Sequence, residues 1–191
     1  MKKLALQIAL SVVIIILAFL VYESIMAPVR FNKEKDKRSV VVIERLKDIR
    51  SAQLLFKSNN GRYTASFDTL IDFIQTGQIP VVKMVADPTD TTFTRSFRDT
   101  VGYIVVRDSL FRGRESFNLQ DLKIIPFSDG ELVQMNAGTI ERSNMEVNVF
   151  EVVVDKHKYL KGLDEHFIRQ DYVKDIKVGS MTDPSTDGNW E

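Results

Sequence analysis

The chain reads as an α+β protein, with an N-terminal transmembrane helix continuing into an amphipathic helix that packs on an antiparallel β-sheet. Three observations predict this. Leu4–Tyr22 is an uncharged run of 19 residues, interrupted only by the polar Gln7 and Ser11. Val42, Leu46, Ile49, Ala52 and Phe56 recur at steps of three or four, the spacing of one helix face. Asp121 to Asp155 carries alternating β-forming runs separated by turn residues.

The first of these sets the organisation. At about 1.5 Å per residue, the apolar run spans about 28 Å as a helix, close to the roughly 30 Å of a bilayer core. A cleaved signal peptide has a shorter apolar core, roughly 7–15 residues, and small residues at its cleavage site. Ser24-Ile25-Met26-Ala27 matches that pattern poorly, so an uncleaved anchor is expected. Residues 1–27 form the N-terminal tip and anchor, and 28–38 a juxtamembrane linker. Residues 39–191 form one folded domain. Pro28 lacks an N–H and crowds the preceding turn, which predicts a kink or a break there. Asn32 to Arg38 mixes both charges and suits the headgroup layer.

Helical periodicity returns at Ser39 and runs to Asn59-Asn60-Gly61, where Gly61 can adopt the left-handed conformation that ends helices. Ser66 or Thr64 can cap a second helix. Asp68 favours its positive end, Leu70, Ile71, Phe73 and Ile74 form its apolar face, and Gly77 and Pro80 stop it. Val81–Ala86 and Tyr103–Val106 read as β runs. Thr89–Thr100 reads as a loop, and a turn is expected near Asp108. A meander is expected next, with strands at Leu122–Ile125, Leu132–Ile140 and Met145–Val154. Ser128-Asp129-Gly130 and Arg142-Ser143-Asn144 are its turns, and the last strand is central. Tyr159–Leu163 reads as a short turn and Ile176–Val178 as a final strand.

Composition narrows the chemistry. Charged residues make up 27% and cancel to zero net charge, so no polyanionic partner is implied. Cysteine is absent, which excludes disulfides, thiolate metal sites and cysteine nucleophiles. No phosphate-binding glycine loop, nucleophile elbow or zinc-protease motif occurs, and no enzyme is expected. His157 and His166 read as solvated surface residues. Arg95, Arg98, Arg107, Arg112 and Arg114 interleave with Phe93, Phe97, Tyr103, Phe111 and Phe117, a composition also seen in single-strand nucleic-acid sites. Asp90, Asp99 and Asp108 neutralise that patch, and the rings are needed for a core, so no nucleic acid is expected. The tail places Asp183, Ser185 and Asp187 at alternate positions before Gly188, like the first half of an EF-hand loop. The closing glutamate of such a loop would fall beyond Glu191, so a helical EF-hand is not expected. Ser180, Asp183 and Asp187 stay as candidate calcium ligands, against a reading as ordinary turn residues.

Two segments carry a family resemblance. Leu46-x-x-Ile49-x-x-Ala52-Gln53-x-x-Phe56, followed by Asn60-Gly61-Arg62-Tyr63-Thr64 and a helix through Leu70, resembles type IV pilin-like proteins. It is most similar to the major pseudopilins of type II secretion. The tail Val178-Gly179-Ser180…Asp183…Asp187-Gly188-Asn189-Trp190-Glu191 resembles the calcium loop that closes those proteins. Thr64 stands where that family has proline, and Leu4–Tyr22 lacks the glycine–aromatic–glutamate signature of its processing peptidase. The resemblance implies a structural or assembly subunit of a secretion or envelope machine. It would be a single-pass protein of the bacterial inner membrane, with its N-terminus cytoplasmic and its head periplasmic. Lys2 and Lys3 agree with that orientation, whereas Arg30, Lys33, Lys35, Lys37 and Arg38 oppose it. Expected partners are the lipid bilayer and envelope proteins, including further copies of the chain, with no small-molecule substrate. The resemblance also favours Ca2+ at Ser180, Asp183 and Asp187. A different class of function is a tethered periplasmic module that binds a ligand or protein through Thr89–Arg114.

Overall fold

The computed structural model describes residues 2–86, 96–114 and 116–191. Its dominant element is α1, Lys2–Asn60, a single helix of 59 residues with Pro28 inside it. The helix does not break at Pro28, so the expected linker is helical throughout. A proline ring costs one backbone bond, and that cost of about 3 kcal/mol is local. On either side stand more than twenty residues of uninterrupted helix, and the stripe beyond it is packed.

That stripe behaves as the spacing predicts. Val42, Leu46, Ile49 and Ala52 are fully buried and Phe56 nearly so. The helix ends at Gly61, which has φ +75°, and its N–H donates to the Lys57 carbonyl at 2.8 Å. Helix α2, Phe67–Thr76, starts on Ser66, whose Oγ accepts from the Thr69 N–H. All four residues of its predicted apolar face are buried, and Phe73 meets Phe56 edge to face at 5.2 Å. Burying side chains of this size contributes about 1.5–3 kcal/mol each, which is ample to hold a ten-residue helix.

Two separate sheets follow. Strands β1, Gln78–Ala86, and β2, Ser96–Val105, form an antiparallel ribbon. Val101 is its extra residue, because Val81 faces Gly102 while Val82 faces Thr100. Ser96–Thr100 is therefore strand rather than loop, and residues 89–95 of the predicted loop lie outside the described residues. A short helix α3, Val106–Leu110, replaces the turn expected near Asp108.

The second sheet is three-stranded and antiparallel, ordered β3 (Gln134–Arg142), β4 (Met145–Val154), β5 (Ile176–Gly179). Its hairpin turns on Ser143 and Asn144, with φ of 52° and 60°, the geometry of a tight primed turn. Leu122–Ile125 is not its first strand. Leu119–Lys123 forms a 3₁₀ helix, and only Ile124 pairs, in a single bridge to Leu132 around the Ser128–Gly130 turn. The apolar residues there point inward from a helical turn, a pattern that four residues cannot separate from a strand. The true third strand is β5, reached after the short helices α4, Lys156–Tyr159, and α5, Glu165–Ile168. β4 is central, as its uniformly apolar end predicts. Phe150, Val152 and Val154 join the stripe of α1 and the face of α2 in one core.

Candidate functional site

Two regions stand apart from this core: the bare half of α1, and the loop that ends the chain. Along α1, every described large apolar side chain from Leu6 to Tyr22 is roughly half to three-quarters exposed. Its polar interruption Ser11 returns its hydroxyl to the Gln7 carbonyl at 3.0 Å, so it presents little unsatisfied polarity. Coverage by the rest of the molecule starts at Glu23, Met26 and Ala27 and is complete at Phe31. Arg30 pairs with Glu23 just past the apolar run. Among the described residues this is the one helix long and apolar enough to cross a membrane.

The C-terminal loop leaves β5 at Gly179, whose φ is +75°. Val178 bridges to Gly188, the Gly179 N–H donates to the Asp187 carbonyl at 2.9 Å, and the Asn189 N–H donates to the Lys177 carbonyl at 3.0 Å. Residues 180–187 are thus one closed loop. The Trp190 ring lies against Gly188, where a Cβ would meet the ring at 2.3 Å. Arg50 of α1 ties down the end, 2.7 Å from Glu191 and 3.4 Å from the Thr186 carbonyl. Its hydrogen bond holds the Glu191 carboxyl below the usual carboxylate range.

Ser180, Asp183 and Asp187 share that loop, but each already has partners. The Ser180 hydroxyl accepts from the N–H groups of Thr182 and Asp183, both at 3.2 Å. The Asp183 carboxylate faces Arg142 of β3 at 3.1 Å, and Asp187 accepts from Ser185 at 3.2 Å. Calcium takes six to eight oxygens. These three side chains supply two carboxylates, one of them paired with a cation. Among the described residues no group of three or more histidine, aspartate or glutamate side chains gathers anywhere. A calcium ion would have to displace Arg142 and complete its shell from main-chain carbonyls and water. Arg142 was invisible as a participant in the sequence, since it is 41 residues away and arrives by strand pairing.

Of the arginine–aromatic region, Phe111, Phe117 and Arg114 brace the head against α1, whereas Tyr103, Arg107 and Arg112 are exposed. Phe111 is buried and stacks on Phe117 at 5.1 Å and 9°. Arg114 lies over both rings and makes two hydrogen bonds to Asp48, at 2.7 and 3.1 Å, which raise its pKa further. Arg45 also lies over Phe117 and donates to the carbonyls of Asp121 and Ile124. Burial lowers its pKa, as expected for a cation drawn into the seam between α1 and the 3₁₀ helix. Phe93 and Arg95 lie outside the described residues, and the side chains of Phe97 and Arg98 are likewise not described. His157 and His166 are exposed, the first 3.0 Å from Glu165 and the second edge-on to Phe167.

These features define a class: an α+β head carried on a helical stem whose free half is apolar all round. Comparison with protein-family models, with curated proteins and with solved structures returns no match.

Proposed function

We propose that this chain is a membrane-anchored structural or assembly protein with a pseudopilin-like head outside the membrane, part of a secretion or envelope machine. One observation carries the reading. A single helix serves two solvents: its first half exposes an apolar run interrupted only by Gln7 and Ser11, and its second half buries one stripe in the head. An apolar helix that is bare on all sides needs lipid or other helices around it, since water would leave that surface unsatisfied. A rigid stem fused to a head suits a subunit that stacks or docks. On this reading the anchor crosses the bacterial inner membrane with its N-terminus cytoplasmic, and the head is periplasmic. Partners are lipid, envelope proteins and further copies of the chain. The Ser180–Asp187 loop is its place for calcium, in competition with Arg142.

Fractionation of cells expressing the full chain tests the proposal. The protein should pellet with membranes, resist high-salt extraction and keep its N-terminal residues. Recovery of a soluble form beginning near Pro28 would reject it. A tethered protein-binding module is the second reading, favoured by the exposed Met84, Val101 and Tyr103 on the β1–β2 ribbon. Deleting that ribbon would then abolish partner capture while membrane anchoring persists.

A further inference from the structure

We propose that the free edge of β3 is a docking site for an extended segment of a partner protein. The segment adds to the three-stranded sheet as a further strand and places a basic side chain beside Glu141 and Glu146. The contact belongs to the head alone and holds however the stem is anchored, so it goes beyond the role proposed above. Three observations carry it. The first is the direction of the main-chain groups. Ser143 and Asn144 form a two-residue turn, which closes on the hydrogen-bonded pair Arg142 and Met145. From there bonded and non-bonded pairs alternate along an antiparallel ladder. Ile140, Gly138 and Asn136 therefore bond to β4, whereas Glu141, Thr139 and Ala137 turn their N–H and C=O groups to the open side. No other main chain among the described residues pairs with them there.

The second observation is that this edge lacks the protection that the other strands have. Open edges are ordinarily blunted by proline, charge, a bulge or a covering segment. The C-terminal loop covers β5 through the Val178–Gly188 bridge. The β1–β2 ribbon carries Pro80, Lys83 and the extra residue Val101. β3 runs in unbroken register, and Ala137, Gly138 and Thr139 at its middle are small and uncharged. The third is the space and chemistry beside it. A groove of about 390 Å³ is lined by these three residues and by Thr64, Ala65 and Thr69 at the start of α2. Small and hydroxylated walls leave room for a main chain, as strand addition requires. Just past the groove Glu141 stands directly opposite Glu146, and both are exposed. Like charges so placed destabilise a sheet, and a lysine or arginine on the incoming strand relieves them. The groove thus selects a β-forming segment with small side chains and a cation, not an apolar helix.

Panning random decapeptides on the purified full chain in detergent micelles tests this. Enriched peptides should be proline-free, β-forming sequences with a lysine or arginine, and fluorescein-labelled copies should bind the unchanged protein by anisotropy. Thr139→Pro removes an edge N–H but no ladder bond to β4, and should weaken binding by about tenfold or more. Glu146→Lys supplies the cation from within the sheet and should weaken binding severalfold. N-methylating alternate amides of the peptide, in one register or the other, should abolish binding while its side chains and the protein stay unaltered. Peptides that still bind when methylated in both registers, or that bind the two variants as tightly as the unchanged protein, would overturn the proposal. So would a library from which no peptide is enriched.

Discussion

The Gln53 side chain grips the main chain of Thr64 from both sides. Its Nε2 donates to the Thr64 carbonyl at 2.6 Å, and its Oε1 accepts from the Thr64 N–H at 3.1 Å. This fully buried amide sits beside the apolar stripe of α1 and holds the turn that follows the helix. Buried main-chain groups left without partners cost about 1–3 kcal/mol each. Gln53→Leu should therefore lower the stability of the head by about 2–4 kcal/mol, although it preserves size and adds apolar surface. Urea unfolding followed by circular dichroism checks it, and a loss below that of an exposed control such as Lys47→Ala would refute the role.

The two halves of α1 should answer truncation differently. Leu46 is fully buried in the core, and Leu46→Ala should cost about 2–5 kcal/mol of head stability. Leu17 is 55% exposed, and Leu17→Ala should leave head unfolding unchanged within about 0.5 kcal/mol. Unfolding in detergent micelles, monitored through the head, separates the two cases.

Gly61 and Gly179 share φ of +75° but not surroundings. A Cβ at position 61 meets nothing within 4 Å, whereas at 179 it would lie 2.2 Å from the Phe150 carbonyl oxygen. Gly61→Ala should cost only the left-handed conformation, about 1–2 kcal/mol. Gly179→Ala must also push β5 from β4 and should cost clearly more, releasing the C-terminal loop. Melting temperatures of the two variants, compared side by side, decide it.

The tail should loosen in acid. Because Arg50 lowers the folded pKa of Glu191, the contact stabilises above the unfolded glutamate value of about 4.3 and is lost as pH falls through the lower folded value. Trp190 is the single tryptophan and sits one residue away, so its fluorescence reports the release. Arg50→Ala should remove that transition; a transition unchanged in the variant would assign it to another group.

Calcium can be tested through its competitor. If the ion enters the 180–187 loop it replaces Arg142 on Asp183. Millimolar calcium should then raise the melting temperature of Arg142→Ala more than that of the unchanged protein, and Asp183→Ala should abolish both shifts. No shift in any of the three would remove calcium from this loop.

Much of this architecture was legible in the residues. The apolar run, the Val42–Phe56 stripe, the Ser66 cap and the Ser143-Asn144 turn are local patterns. They bias the backbone or one helix face whatever the remainder of the chain does. For the same reason the tail was recognisable as a turn-rich loop, which holds Ser180, Asp183 and Asp187. What local patterns could not supply was pairing. Leu122–Ile125 has a strand's composition, yet its first half coils as a 3₁₀ turn, and the third strand of the sheet is Ile176–Gly179, on the far side of β4. Pro28 carries a helix-breaking tendency that the long helix on each side outweighs. Arg142 on Asp183, Arg50 on Glu191 and Gln53 on Thr64 join residues from 11 to 141 positions apart. Short-range preference determined where helices and turns form. Burial in a common core, and the hydrogen bonds it makes obligatory, decided which of those pieces meet.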